Sequence, residues 1–367
     1  MKVTRRQVLA FRLARHQLDG TGSGEVDLLD YGVQDTGPDG SAWALALRGG
    51  TVTDTFLAWT LRGAPHAYRR SDASGVALAT APWTEADAAS RIFDASKPLV
   101  EAGLTVLDAL ATVARAMRGI VTTPTVKGEV SSRLTSELPK PFLRTCVPCD
   151  AVHAYEQPFR LSALQAGLEL EPGTSPPVLR RIPKLKPLAF GRSGDDADDR
   201  VDVLRNHLRF YGPTQPKAVA RFLEAPLKEV KARWPEDSVE VTVAGEEGPR
   251  WILADDEVVL GDAADRPKGV ALLGPFDPWL QLRDRELLVP DAAARKDLWR
   301  SLGRPGGVLV DGEVKASWRP RSKGRKLEVE VTPWTKLSKA ARTRTEHAAA
   351  ELAAFRDREL SEVTWPD

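Results

Sequence analysis

A chain of 367 residues with 42% apolar and 28% charged residues is long enough for several cores, and two to four modules of roughly 80 to 150 residues are expected. No run approaches the roughly 18 consecutive apolar residues of a membrane span, which excludes a membrane partner. With 52 basic against 51 acidic residues, overall charge argues neither for nor against nucleic acid, and two cysteines without a secretory leader predict a reducing, cytoplasmic setting.

The chain begins with MKVTRRQVLAFRLARHQLDG, which is basic like a leader, but Arg12 and Arg15 interrupt the apolar stretch. Val8, Phe11, Leu13 and Leu18 recur at helical spacing instead, with Thr4 as N-cap and Gly20 as stop. A glycine-rich GTGSG loop follows. "LDYGVQDTGPDGSAWALALRGG" then reads as a buried approach, a polar turn at Gln34, Asp35 and Thr36, and a short helix over SAWALALRG. "FLAWTLRGAPHAYRR" alternates as a strand, turns at Gly63 to Pro65 and ends in Arg69 and Arg70, completing a small α+β unit.

A second unit starts near Lys97. Its pattern predicts an amphipathic helix over 99–118 and, after Pro124, another in TVKGEVSSRLTSELP, a helix-turn-helix order. A strand-rich stretch leads to FRLSALQAGLELEP, and prolines and glycines from Pro172 to Pro187 form a linker. In the third unit three short helices, from DVLRNHLRFYG to LKEVKARWPE, run into the hairpin SVEVTVAGEEGPRWILAD, which is the winged-helix order. After Asp265 strands dominate until a closing helix over 337–357. The expected fold is α+β, with tandem winged-helix domains over 1–96, 97–187 and 188–264 and a small β-barrel with its closing helix over 265–367.

Cys146, Cys149 and His153 have a spacing compatible with metal ligation. A closed zinc site needs four ligands and Asp150 or His207 would complete one only by chance, so a reduced thiol pair is expected and no metal or cofactor. "FDPWLQLRDR", with Asp277, Arg283, Asp284 and Arg285, reads as an ion-paired turn. No Gly-rich phosphate loop, serine elbow or paired-histidine helix is present.

Seven landmarks carry a resemblance: RRQVLAFRLARHQL, GVQDTGPDGSAWALALR, AWTLRGAPH, CDAVHAYEQPFRLSALQAGL, LRFYGPTQPKAVARFL, LLGPFDPWLQLRDR and GGVLVDGEVKASWR, in this order. With these the chain resembles the winged-helix DNA-binding family that includes the AlkZ and YcaQ bacterial DNA glycosylases. The resemblance implies tandem winged helices in an arc around double-stranded DNA, and a DNA-repair hydrolase that removes alkylated purines or unhooks crosslinked ones. A monomer on the nucleoid is the expectation. The family's glycosylases carry glutamine, an aliphatic residue, then glutamine or aspartate, where this chain has Gln34, Asp35 and Thr36.

In an extended segment Gln34 and Thr36 point to one side and Asp35 to the other, so two polar groups converge on one sugar. Thr36 offers only a hydroxyl, a poorer stabiliser of positive charge than a carboxylate. Asp35 substitutes for it only if the backbone twists; otherwise Gln34 and Asp35 cap the helix from Ser41. His66, in RGAPH, matches the family's arginine, glycine, threonine, any residue, histidine, with Ala64 replacing the threonine. It contacts a phosphate or orients the glutamine, or else is hydrogen-bonded within its turn. DNA-backbone candidates are Arg62, Arg69 and Arg70; Lys127, Ser131, Ser132 and Arg133; and the run Lys315, Arg319, Arg321, Lys323, Arg325 and Lys326, six basic residues in twelve around Trp318. The rival reading is a non-catalytic DNA-binding protein, a damage sensor or regulator.

Overall fold

Thr4 opens the first helix, Arg5–Arg15, through a capping box in which its side chain accepts from the Gln7 N–H and Gln7 reaches back to the Thr4 N–H. The helix buries Val8, Leu9, Phe11 and Leu13, and ends at Arg15, ahead of Gly20. The computed structural model describes residues 1–20, 24–188, 190, 198–263 and 269–366; most of the GTGSG loop and the boundary at Asp265 lie outside them.

The central element is a six-stranded antiparallel sheet in the order Val33–Gln34, Pro65–Arg69, Thr55–Trp59, Leu168–Leu170, Val178–Arg181, Thr125–Val126. Read inward from either edge, the order is the same: a two-residue strand, the second arm of a hairpin, then its first arm. The halves meet where Leu57 pairs with Leu170. Residues 172–187, expected as a linker, thus contain a strand, because Val178 and Leu179 alternate between its prolines and Leu179 is buried. A third group follows the same order: Thr214 bridges to Trp251 of Arg250–Leu253, which pairs with Ser238–Val243. The N-terminal strand Lys2–Val3 adds to its far side in parallel.

The helix expected over 99–118 is two helices, Ser96–Glu101 and Val106–Ile120. Gly103, at φ +76°, ends the first, and the Thr105 hydroxyl caps the second by accepting from the Asp108 N–H. Val106, Ala109, Leu110, Val113 and Met117 then face the core at helical spacing. Helices Lys127–Glu137, Val203–Tyr211, Pro216–Leu223 and Leu227–Ala232 lie where the sequence predicts them. One hydrophobic core joins these units, with Phe11, Tyr31, Trp59, Leu110, Phe159 and Phe210 in it.

The C-terminal region is a five-stranded sheet, Val270–Leu273, Gly306–Val310, Glu313–Lys323, Lys326–Pro333 and Glu359–Thr364, curled into half a barrel. Helix Lys339–Phe355 packs Ala349, Leu352 and Ala353 against its Val329, Val331 and Trp318. Trp43 enters this second core from the helix Gly40–Ala46, and its indole N–H donates to the Leu272 carbonyl at 2.7 Å. Arg48 binds Asp277 through two 2.9 Å hydrogen bonds with both side chains fully buried. Removing either partner would strand the other charge, at a cost of about 3–5 kcal/mol. The segment after Thr36 is therefore fastened to the half-barrel. Among the described residues no helix is long and apolar enough to cross a membrane.

Candidate active site

Gln34 ends its strand opposite His66, and the Asp35 N–H donates to the Pro65 carbonyl at 2.8 Å, so the backbone stays extended through the polar turn. The side chains alternate as that geometry requires. Gln34 Nε2 donates to Thr36 Oγ1 at 3.0 Å on one side, and Asp35 turns to the other. There Asp35 Oδ1 accepts from both the Ser41 N–H and its hydroxyl at 2.8 Å, holding the start of the helix Gly40–Ala46. Gly40 is required here: at φ +42°, its Cβ would lie 2.1 Å from Asp35 Oδ1. Of the capping pair considered in the sequence, Asp35 caps and Gln34 does not.

Arg62 completes the pair. It sits in a turn at φ 59°, lays its guanidinium 4.1 Å over the Phe222 ring, and donates from Nη2 to Gln34 Oε1 at 3.1 Å. A guanidinium only donates, which assigns the Gln34 oxygen to Arg62 and its NH2 to Thr36. The Thr36 hydroxyl, as acceptor, keeps one lone pair and a hydrogen to give. Arg62 Nη1 is enclosed and makes no hydrogen bond among the described residues. The remaining space, bounded by Gln34, Arg62, His66, Tyr31, Tyr211 and Gln281, is about 10 Å³, room for about one water.

His66 is buried, with Nδ1 2.9 Å from the Ala64 carbonyl and 3.1 Å from the Thr60 hydroxyl. A carbonyl only accepts, so Nδ1 carries the proton. Burial, and then the Arg62 charge, pushes the imidazole down to about 3, and it is neutral at physiological pH. This is the turn-bonded histidine of the two readings; an imidazolium on a phosphate does not fit it. His66 backs the strand that carries Gln34. Tyr68, which shares the Thr60 hydroxyl at 2.8 Å, is raised above the ordinary tyrosine range by the same burial.

The basic candidates divide by partner. Arg69 is held by Asp30 and by the Val26 carbonyl, and Arg70 forks onto Glu169. Lys127 donates to Glu156 at 2.7 and 3.0 Å, and Arg133 pairs with Glu129 one turn away, while Ser131 and Ser132 give their carbonyls to Thr135 and Ser136. On the hairpin, Lys315 lies 3.9 Å from Glu313, Arg319 3.3 Å from Asp297 and Arg321 2.7 Å from Glu330. Only the tip stands clear: residues 321–326 are exposed, Lys323 lies directly opposite Lys326, and Arg325 reaches Asp357 no closer than 3.9 Å. The run FDPWLQLRDR is half what its charges suggest. Its acids are paired, Asp277 with Arg48 and Asp284 with Arg12 at 2.7 Å, but with arginines from elsewhere, and Arg283 and Arg285 form no ion pair among the described residues. The alternation of signs hides this, since sequence alone does not show which arginine reaches which acid.

Cys146 is buried on a strand, the Cys149 side chain lies outside the described residues, and no group of metal-ligating side chains occurs among the described residues.

The sequence model described as "DNA glycosylase AlkZ-like" matches residues 43–355. The chain belongs to the AlkZ-like DNA glycosylase family. Membership associates it with DNA binding, DNA repair and hydrolase chemistry. The matched stretch begins after Thr36, so the Gln34 to Thr36 turn stands on its own geometry. The structure is similar to that of Streptomyces sahachiroi DNA glycosylase AlkZ, with a TM-score of 0.71 and 20% identity over 100% of both chains, a likeness of fold. No curated protein matches the sequence.

Proposed function

We propose that this protein is a monofunctional DNA glycosylase that hydrolyses the N-glycosidic bond of bulky N7-alkylated or crosslinked purines in double-stranded DNA. It works as a cytoplasmic, nucleoid-associated monomer without cofactor or metal. The observation that carries the reading is the Gln34–Thr36 pair, joined at 3.0 Å on one side of an extended turn while Asp35 is occupied on the other. In this reading residues 1–96, 97–187 and 188–264 are three winged helices. Support comes from the strand order short strand, second hairpin arm, first hairpin arm, which recurs three times.

A purine alkylated at N7 is already cationic, so the C1′–N9 electron pair leaves onto a base that becomes neutral, and no general acid is needed. Water supplies the oxygen that bonds to C1′, and its proton passes to solvent. Gln34 Oε1 and Thr36 Oγ1 each keep a lone pair beyond the hydrogen bonds they accept, and these hold the water and face the positive sugar. Asp35 fixes the turn and His66 supports the strand behind it. The exposed hairpin tip, with Lys323, Arg325 and Lys326, lies on the DNA backbone: like charges set opposite each other are unfavourable until an anion sits between them.

The test is release of free modified base from an N7-alkylated duplex. Wild type is expected to release it, and Gln34→Ala to lose about 10²–10³ in single-turnover rate. A Gln34→Ala variant at the wild-type rate would overturn the assignment. One observation favours the non-catalytic alternative: Arg62 sets a positive charge on the Gln34 oxygen, where the sugar would become positive too. Intact duplex binding without base release would establish that alternative.

A further inference from the structure

We propose that Arg221, Arg283 and Arg285, together with Arg62, form a site for a backbone phosphodiester of the lesion-bearing DNA strand. The proposal deepens the reading above and rests on it for the identity of the anion.

The site is an open cavity of about 1000 Å³ walled by residues 283–286, by the helix Ala292–Leu298 with Trp299, and by Arg221 from Pro216–Leu223. Each of its acids has a cationic partner, and Asp284 keeps one oxygen, Oδ1, enclosed without a hydrogen-bond partner among the described residues. Asp284 pairs with Arg12 at 2.7 Å, Asp297 with Arg300 and with Arg319 at 3.3 Å, and Glu286 with Arg295 at 3.6 Å. Among the described residues Arg221, Arg283 and Arg285 form no ion pair or hydrogen bond through their guanidinium groups. Glu224 attracts Arg62 and Arg283 without closing an ion pair with either.

Enclosed donors point the same way. Arg62 Nη1 and Arg283 Nε are shut off from solvent and have no hydrogen-bond partner among the described residues. Desolvated N–H groups of a cation left unpaired are costly, and an anion within reach offsets that cost. Burial, followed by repulsion from Arg62, Arg285 and Arg221, pushes Arg283 down to about 10; it remains charged at neutral pH, but against resistance. The shapes suit a phosphate. Arg285 lies 5.0 Å over the Trp299 ring, which holds its planar fork, and the Phe222 ring is shared by Arg62 at 4.1 Å and Arg283 at 5.9 Å.

Phosphodiester rather than free phosphate follows from position. Arg62 is the member that also bonds Gln34 Oε1, so the cluster begins where the sugar under attack would lie, and the phosphates flanking that sugar fall beside it. An anion here also offsets the guanidinium charge that opposes a positive sugar. By contrast Arg69, Arg70 and Lys127 have found carboxylates inside the protein.

The experiment titrates an undamaged duplex by fluorescence anisotropy at several salt concentrations. It compares wild type, Arg221→Gln, Arg285→Gln and the double variant with Lys97→Gln, an exposed lysine elsewhere. Each cluster variant is expected to bind more weakly and to lower the slope of log K against log[salt] by about 0.9 for each phosphate it no longer neutralises, while Lys97→Gln leaves the slope unchanged. Arg283→Gln supplies a second readout: relieved of its like-charged neighbours, the DNA-free protein melts no lower than wild type although DNA binding weakens. A merely structural arginine would lower the melting temperature. Unchanged slopes in the double variant, or binding blocked by millimolar inorganic phosphate as effectively in that variant as in wild type, overturn the site. Base release is not read here, so an inactive protein with the expected slopes would refute the glycosylase reading and leave the phosphate site standing.

Discussion

Thr36→Asp is the substitution that bears most directly on the candidate site, because it supplies the charge that the hydroxyl lacks. Thr36 Oγ1 lies 3.0 Å from Gln34 Nε2, so a carboxylate there would share the same donor. A sugar carbon that contacts Gln34 would then be about 4.5 Å away, and at an effective dielectric of about 20 opposite unit charges at that distance attract by about 3–4 kcal/mol. Thr36 is half-buried, and solvent screening removes roughly half of this, leaving about 1.5–2 kcal/mol. That corresponds to about a 10- to 30-fold faster single-turnover release of base. The carboxylate also offsets the Arg62 charge on the neighbouring oxygen. The gain should be present above about pH 5 and fade as the pH falls through the ordinary aspartate range near 4. Quenched single-turnover assays on an N7-alkylated duplex measure it, with Thr36→Val as the control that removes the hydroxyl at nearly constant shape. If Thr36→Asp is no faster than wild type and Thr36→Val no slower, the hydroxyl is not part of the chemistry.

Asp35→Ala should lose the bonds that start the helix Gly40–Ala46, lowering stability by about 1 kcal/mol in urea unfolding while release per folded molecule stays near wild type; a selective loss of activity would return Asp35 to the chemistry. His66 and His207 are each pushed down to about 3 by burial, so between about 6.5 and 3 the unfolded chain takes up protons that the folded chain refuses. Stability is therefore full above about pH 6.5 and is lost on acidification, by about 1.4 kcal/mol per histidine between pH 7.5 and 5.5; a flat unfolding midpoint over that range would contradict the burial argument. Lys323→Gln with Lys326→Gln should weaken duplex binding and lower its salt slope without lowering the melting temperature, since the two lysines oppose each other across the hairpin.

The elements legible in the sequence are those with a local cause. Thr4 and the helical spacing of Val8, Phe11 and Leu13 announce the first helix, and the alternation of SVEVTV and RWIL announces their hairpin. Gln34 and Thr36 are readable as neighbours from extended geometry alone. What escapes depends on partners far along the chain. Leu179 becomes a strand residue because Leu168–Leu170 offers it an edge, a pairing that a proline-rich segment does not advertise. The break at Gly103 is present in the sequence but hidden by apolar periodicity that continues in register on both sides. Pro158 interrupts residues 156–165 and hides the start of their helix behind the strand-rich stretch, yet a proline in the first turn is compatible with a helix. The charges are hardest. Arg69 and Arg283 look alike in sequence, but Asp30 meets the first and no described carboxylate meets the second.

Asp39, three residues beyond Thr36, is gripped by Arg356, at a separation of 317 residues. Such a contact cannot form during synthesis until nearly the whole chain has emerged from the ribosome. Until then the turn that bears Gln34 lacks its far anchor, and so does Trp43, which must wait for the strand at Leu272. A nascent or truncated chain therefore carries Gln34 to Thr36 without the C-terminal contacts that fasten the segment just beyond them.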